Sequence, residues 1–205
     1  MKSTVQFAGP FSWEGASDAP SFQYAAERHE SGVYLWTIPL PEGHLVCYVG
    51  MTAKSFAARM EGHDRCYAAA KYHVYRAESY ARGEKLEKDL LWEGMWHYET
   101  EASKSPRSRS QEECWKNCAR LKGPTQEMKK VQRFFFAPLF CDTRTVERIE
   151  AAIAEHLKGS PDRRVRDFLT KGIRYRPTRK HEQPFECTVS SQARILGIPE
   201  RLRCI

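Results

Sequence analysis

The chain has 205 residues, of which 41% are hydrophobic and 29% are charged, and its formal net charge is +7. No apolar run approaches the roughly 18–20 residues that span a bilayer, so the sequence argues against a membrane protein. Its seven cysteines are scattered, which argues against a disulfide-framed secreted domain. The excess of positive charge favours a polyanionic partner.

Residues 1–31 are expected to form an irregular N-terminal arm with a short helical turn. Pro10, Gly15 and Pro20 interrupt any regular element there. Four aromatic residues are expected to pin the arm to the core, and they are Phe7, Phe11, Trp13 and Phe22. The first residues lack the long apolar stretch of a secretory signal, so we expect a cytoplasmic protein.

The next segment predicts a β-hairpin. Residues 32–38 and 44–50 are rich in β-branched and aromatic residues, and Pro-Leu-Pro-Glu-Gly between them is a turn signal. A symmetric five-residue loop would place Tyr34 directly opposite Tyr48, with both phenols on one face of the sheet. A slip of one residue would separate the two phenols, so the prediction depends on the turn.

A helix is predicted after the hairpin, with Thr52 as its N-cap. Its apolar stripe would consist of Phe56, Ala57 and Met60. Arg59 and His63 are four residues apart and share one face, off that stripe. Two phenols, a guanidinium and an imidazole would then converge in a cleft between hairpin and helix. The alternative is a tyrosine pair packed in a small sheet beside a solvated helix flank.

These residues resemble the signature of the GIY-YIG nuclease superfamily. The matching positions are Gly32-Val33-Tyr34, Tyr48-Val49-Gly50, Thr52, Arg59 and His63. The resemblance implies an α/β (α+β) fold with a three-stranded antiparallel sheet flanked by helices, and metal-dependent cleavage of phosphodiester bonds. The gap between the two tripeptides is slightly long for the family, which a longer hairpin loop would absorb.

In this family pattern the nuclease domain spans residues 32–159, with an insertion at about 66–130. Tyrosines interleave with basic residues early in the insertion, which suits either stacking on nucleic acid or ordinary strand packing; they are Tyr67, Tyr72, Tyr75 and Tyr80. A helix is predicted over 111–122, ended by Gly123-Pro124. Cys114 and Cys118 lie on it without a second Cys/His pair, so two helix-borne thiols are favoured over a zinc site.

Residues 131–140 predict a central strand because they are almost continuously apolar, with Pro138 near the end. Asp142 or Thr143 would cap the following helix. Its core stripe at helical spacing is Val146, Ile149, Ile153 and Leu157.

The resemblance implies that a glutamate of this helix holds the metal, and Glu150 aligns best, ahead of Glu147 and Glu155. Two phenols, an arginine and a histidine would not hold a hard cation unaided, whereas magnesium usually takes one or two carboxylates and keeps several waters. The implied cofactor is Mg²⁺ or Mn²⁺. An ordinary exposed glutamate is the alternative.

Residues 160–205 are predicted to be a C-terminal extension packed on the same domain, with strands at 173–177 and 185–189 and a helical turn at 192–196. The family often carries an asparagine after its metal-binding helix. Here the only asparagine of the sequence is Asn117, upstream of that helix, so the resemblance is incomplete at this position.

The leading hypothesis is a DNA endonuclease with a single metal held by Glu150. Tyr34 would act as general base, as a phenol acidified by nearby positive charge, since an ordinary phenol has a pKa near 10. Tyr48 would orient the water or phosphate, Arg59 would stabilise the transition state, and His63 would position or relay a proton.

Basic residues expected to contact the DNA backbone are Lys54, Lys129, Lys130, Arg133, Arg174 and Arg176, although such clusters also occur on ordinary solvated surfaces. An enzyme that cuts both strands would form a homodimer. The alternatives are a non-catalytic nucleic-acid-binding module on the same scaffold, and a protein-interaction domain with its aromatic patch at residues 92–96.

Overall fold

The computed structural model describes residues 2–94, 111–170, 179 and 181–204. The strands in these ranges are β1 (Lys2–Phe11), β2 (Gly32–Leu40), β3 (Gly43–Thr52), β4 (Val74–Tyr75), β5 (Leu90–Trp92), β6 (Arg133–Pro138), β7 (Phe185–Ser191), β8 (Ile195–Leu196) and β9 (Arg201–Cys204). The α-helices are α1 (Phe56–Ala68), α2 (Ala77–Ala81), α3 (Gln111–Val131), α4 (Thr143–Lys158) and α5 (Arg163–Phe168). Short 3₁₀ helices occupy Phe22–Tyr24, Ala26–His29 and Glu87–Asp89.

One seven-stranded sheet organises the molecule, in the order β8-β3-β2-β6-β1-β7-β9. Neighbours from β3 to β1 are antiparallel, β7 runs parallel to β1, and β8 runs parallel to β3. The mixed α/β class is confirmed. The expected sheet of three antiparallel strands is too small, because β3, β2 and β6 are part of a larger sheet; β4 and β5 pair separately.

The predicted strand at 131–140 is confirmed as β6, which is central and ends at Pro138. Three consecutive phenylalanines of β6 are fully buried: Phe134, Phe135 and Phe136. A strand covered on both faces has no exposed side, which explains the nearly continuous apolar run.

The expectation of an irregular N-terminal arm is wrong for residues 2–11, which form β1 between β6 and β7. Val5 and Phe7 are buried while Thr4 and Gln6 are exposed, which is the alternation of a strand. Pro10 lies near the strand's end and does not prevent pairing before it. Three of the four aromatic anchors are buried as predicted, namely Phe7, Trp13 and Phe22.

The hairpin register differs from the prediction. Tyr34 faces Gly50, while Trp36 faces Tyr48. The strands continue past Pro39 to the pair Leu40–Gly43, so the turn contains two residues instead of five. A bulge between Trp36 and Thr37 accompanies the shorter turn, and Tyr34 and Tyr48 remain diagonal neighbours on one face.

Helix boundaries were predicted well for α4 and less well for α1 and α3. Asp142 caps α4 through a bond from the Thr145 amide of 3.0 Å, and the four predicted stripe residues are buried. Helix α1 begins later than expected, with Ser55 instead of Thr52 as its N-cap. Helix α3 continues through Pro124, because buried residues on both sides of the proline pack the helix against the protein.

In the C-terminal extension, the strand predicted at 185–189 is confirmed within β7. The helical turn expected at 192–196 is wrong, since Ile195–Leu196 form β8 beside the start of β3. The strand expected at 173–177 lies outside the described residues. Among the helices of the described ranges, none is long and apolar enough to cross a membrane.

Candidate functional site

The site begins on β2 and β3, where Tyr34 and Tyr48 share one face of the sheet. Tyr34 is fully buried, and its ring centroid lies 6.0 Å from that of Tyr48. Gly50 makes room for them: a Cβ at this position would overlap the ring and hydroxyl of Tyr34 and would lie 2.6 Å from Tyr48 Cε1. The glycine is therefore needed for a tyrosine to lie across from it.

Helix α1 adds Arg59 and His63, one turn apart. Arg59 lies on the exposed side, and its Nε donates a hydrogen bond of 3.1 Å to Tyr34 Oη. His63 was expected off the apolar stripe, but it is 3% exposed and lies on the buried face with Phe56 and Met60. Its Nε2 lies 2.8 Å from Tyr34 Oη, so Tyr34 joins both α1 groups.

Tyr72 is a fourth side chain in this hydrogen-bonded series, and the sequence did not identify it as a site residue. Its hydroxyl lies 2.6 Å from Nδ1 of His63. The chain of contacts is thus Arg59–Tyr34–His63–Tyr72, and the ring of Trp36 packs against His63 with centroids 4.7 Å apart. Tyr72 follows the end of α1 and a turn, so no helical spacing relates it to His63, and its aromatic character was the one available signal.

Burial determines the protonation states of these hydrogen-bonded side chains. It lowers the pKa of His63 to about 3, with the charge of Arg59 as a second cause, so the imidazole is neutral. A neutral imidazole donates at one nitrogen and accepts at the other. His63 can therefore bond to both tyrosines at once.

The expectation of an acidified Tyr34 is wrong. Burial, reinforced by Tyr48, raises the pKa of Tyr34 well above its ordinary value, and the opposing effect of Arg59 is smaller. Burial also raises the pKa of Tyr48, although Arg59 opposes it. Both phenols are protonated at neutral pH.

The Glu150 carboxyl reaches the same cluster from α4. Its pKa is raised to about 7: burial and, secondarily, the charge of Glu147 raise it, and Arg59 and a hydrogen bond at the Met51 backbone oppose them. The charge of Glu150 in turn contributes to the raised pKa of Tyr48. The Glu150 carboxyl is therefore within electrostatic range of Arg59 and Tyr48 and close to the Met51 backbone of β3.

The two competing glutamates are placed differently. Glu147 forms an ion pair of 3.3 Å with Arg144, which also binds Glu182. Glu155 is exposed, further along α4. Of the three glutamates, Glu150 is the one that combines partial burial with proximity to Arg59.

In the described part of the chain, no group of three or more His, Cys, Asp or Glu side chains is arranged to hold a metal ion. Glu150 is the carboxylate of this site that could hold a divalent cation, with water and substrate oxygens as the other ligands. This donor set is compatible with magnesium, which commonly binds one or two carboxylates and keeps several waters.

The predicted phosphate contacts fall into three groups. Arg133 is buried and bound by Asp18, with Nε–Oδ2 and Nη2–Oδ1 distances of 3.0 and 2.6 Å, so a role in DNA contact is wrong for this residue. Lys129 is also engaged: its Nζ lies 2.5 Å from Asp64 Oδ1 and 4.5 Å from the Trp13 ring centroid. Lys54 and Lys130 are exposed, whereas the predictions for Arg174 and Arg176 lie outside the described residues.

Asn117 is on α3, where its Nδ2 donates to the Glu113 carbonyl and its Oδ1 accepts from Arg120. It does not replace the family's asparagine in the site.

Comparisons with protein-family models, with curated proteins and with solved structures found no match. The resemblance to the nuclease superfamily therefore depends on the residues described above.

Proposed function

We propose that the protein is a metal-dependent DNA endonuclease that hydrolyses phosphodiester bonds with a single divalent cation, Mg²⁺ or Mn²⁺. The observation that supports it best is the hydrogen-bonded series Arg59–Tyr34–His63, whose Arg59 interacts electrostatically with the carboxyl of Glu150. The net charge of +7 agrees with a polyanionic substrate.

Glu150 would hold the cation, which when bound would polarise a phosphate oxygen and stabilise the leaving group. Because Arg59 binds Tyr34 through Nε, its terminal nitrogens carry the donors for the scissile phosphate. Positive charge placed where negative charge develops in the transition state typically contributes roughly 10²–10³ in rate.

Tyr34 would contact the attacking water. A protonated phenol is a poor base, and His63, with its pKa lowered to about 3, is a poor proton acceptor, so the proton of the water would leave to the solvent. Tyr34 Oη lies 2.8 Å from Nε2 of His63, and this hydrogen bond, together with the one from Arg59, would orient the Tyr34 hydroxyl toward the water.

The test is nicking of supercoiled plasmid in the presence of Mg²⁺ or Mn²⁺. Glu150→Gln and Arg59→Ala should each reduce nicking at least about 100-fold, while retention of DNA at low salt persists. Glu155→Gln, an exposed glutamate of the same helix, is the matched control and should nick like the wild type. Absence of metal-dependent nicking by the wild type, or full activity of Glu150→Gln, contradicts the proposal.

A second candidate is a non-catalytic nucleic-acid-binding module, and the observations in its favour are the two protonated phenols and the position of Asn117 outside the site. Exposed Lys54 and Lys130, with Arg174 and Arg176, are proposed phosphate contacts under either function. DNA retention that weakens steeply with salt, without cleavage under any divalent metal, selects the second candidate.

A further inference from the structure

We infer that Tyr72 is a positioning residue of the proposed nuclease: its hydroxyl oxygen accepts a hydrogen bond from Nδ1–H of His63, which leaves Nε2 unprotonated and directed at Tyr34. The effect of Tyr72 on DNA cleavage rests on the proposed function. The hydrogen-bond pattern itself is a property of the folded protein and can be measured without DNA.

What each group can give limits the possible directions of the hydrogen bonds, and Arg59 fixes the first of them. Arg59 is a donor only, so Tyr34 Oη accepts at 3.1 Å from Nε. The Tyr34 hydroxyl is fully buried and has a hydrogen of its own to place, and Nε2 of His63 is 2.8 Å away. If Nε2 accepts that hydrogen, the ring proton of the neutral His63 is on Nδ1.

Nδ1–H then needs an acceptor inside the protein, and Tyr72 Oη lies 2.6 Å from it. Cys66, which raises the pKa of Tyr72, is the neighbour to which the Tyr72 hydroxyl would give its own hydrogen. The Trp36 ring, 4.7 Å from the imidazole, restrains it from the side. Tyr72 therefore fixes both the tautomer of His63 and its orientation toward Tyr34.

The experiment measures the tautomer of His63 by ¹⁵N NMR of the full chain, with the His63 signals assigned by their loss in His63→Gln. The wild type should show Nδ1 protonated and Nε2 unprotonated. In Tyr72→Phe, the Nε2-protonated form should increase, and the turnover rate for plasmid nicking should fall roughly 10–100-fold with little change in KM. Tyr24→Phe removes a hydroxyl from an exposed tyrosine with no proposed role, and should leave both measurements unchanged.

A wild-type ring protonated on Nε2 overturns the inference, and this result does not depend on whether Tyr72→Phe folds. A Tyr72→Phe protein with the wild-type tautomer and nicking rate overturns it as well. If the wild type does not cleave DNA, the proposed function fails, while the NMR result still decides whether Tyr72 orients His63.

Discussion

Gly50 shows how one residue without a side chain decides the form of the site. In the observed register it lies opposite Tyr34, and a Cβ at this position would overlap the Tyr34 phenol. The β3 backbone approaches the buried Tyr34 ring closely, which gives a physical reason for the glycine that ends the tripeptide Tyr48-Val49-Gly50.

Gly50→Ala should therefore destabilise the protein by about 1–3 kcal/mol, because the methyl group displaces Tyr34 from its contacts. Urea unfolding measures the loss, and the ¹⁵N signals of His63 should shift with it. Gly62→Ala, within helix α1, is the control. A Cβ at this position would have no neighbouring atom closer than 3.9 Å, so the higher helix propensity of alanine should raise the free energy of unfolding by about 0.5–1 kcal/mol. A Gly50→Ala protein of wild-type stability with unchanged His63 signals contradicts this account.

The hairpin and the next helix are adjacent in sequence, and their periodicities show which residues share a face. The sequence could therefore place Tyr34, Tyr48, Arg59 and His63 near one another. Glu150 came from the resemblance and not from spacing. The protonation of Tyr34 could not be predicted, because burial outweighs the nearby charge and burial is a property of the whole core.

At the scale of an element, the bulge in the β2–β3 hairpin puts Tyr34 and Tyr48 on one face, as a five-residue loop also would, but diagonally instead of directly opposite. The two-residue turn alone would pair Tyr34 with Val49 and place Tyr48 on the other face. The extra residue, Cys47, shifts the register by one, so that Trp36 faces Tyr48. The shared face was predicted for the wrong reason, since neither the short turn nor the bulge has a strong sequence signal.

A second element-scale feature is the attachment of β6 to the loop after β1. Arg133, the first residue of β6, is 7% exposed in its side chain and is held by Asp18 through two hydrogen bonds. The hydrogen bond from Arg133 holds the pKa of Asp18 below its usual value. The ion pair is therefore predicted to make stability dependent on pH.

Asp18→Asn should cost about 1–2 kcal/mol at neutral pH, toward the low end for a charged hydrogen bond because Asp18 is 46% exposed. In acid the unfolded chain binds the proton first, so the contribution is complete above the unfolded pKa of about 3.9 and disappears as the pH falls through the folded pKa. Urea unfolding at several pH values should show the two proteins converging in acid.

Asp167→Asn, which breaks ion pairs with exposed Arg163 and half-exposed Arg166, is the control for a surface charge, since Asp167 is itself 53% exposed. It should change stability by less than about 1 kcal/mol. A difference between wild type and Asp18→Asn that stays constant down to the lowest pH would show that the ion pair is not responsible.

At the scale of the whole molecule, the sheet joins the two ends of the described chain. Lys2 pairs with Glu186 and Phe7 with Ser191, while β9 contacts the sheet through β7. The order of strands distant in sequence depends on pairing between them, which periodicity does not reveal. Sequence patterns could therefore reveal β6, α4 and β7 as separate elements, but not the sheet to which β6 and β7 belong.

Phe7→Ala tests the integration of β1. A buried phenylalanine cut to alanine typically costs about 3–5 kcal/mol, whereas an aromatic anchor on a loose arm would cost little. Hydrogen exchange should show amides of β6 and β7 losing protection together. Gln6→Ala, at an exposed position of the same strand, should be nearly neutral, and protection retained in β7 of the Phe7→Ala protein would contradict the prediction.

The position of β1 also has a consequence during translation. The strand leaves the ribosome long before β6, and longer still before β7, so Val5 and Phe7 are without their partners while most of the chain is being made. An apolar strand with unpaired edges in that interval is a binding site for chaperones and a route to aggregation. The yield of native protein should therefore be sensitive to how fast residues 185–191 follow.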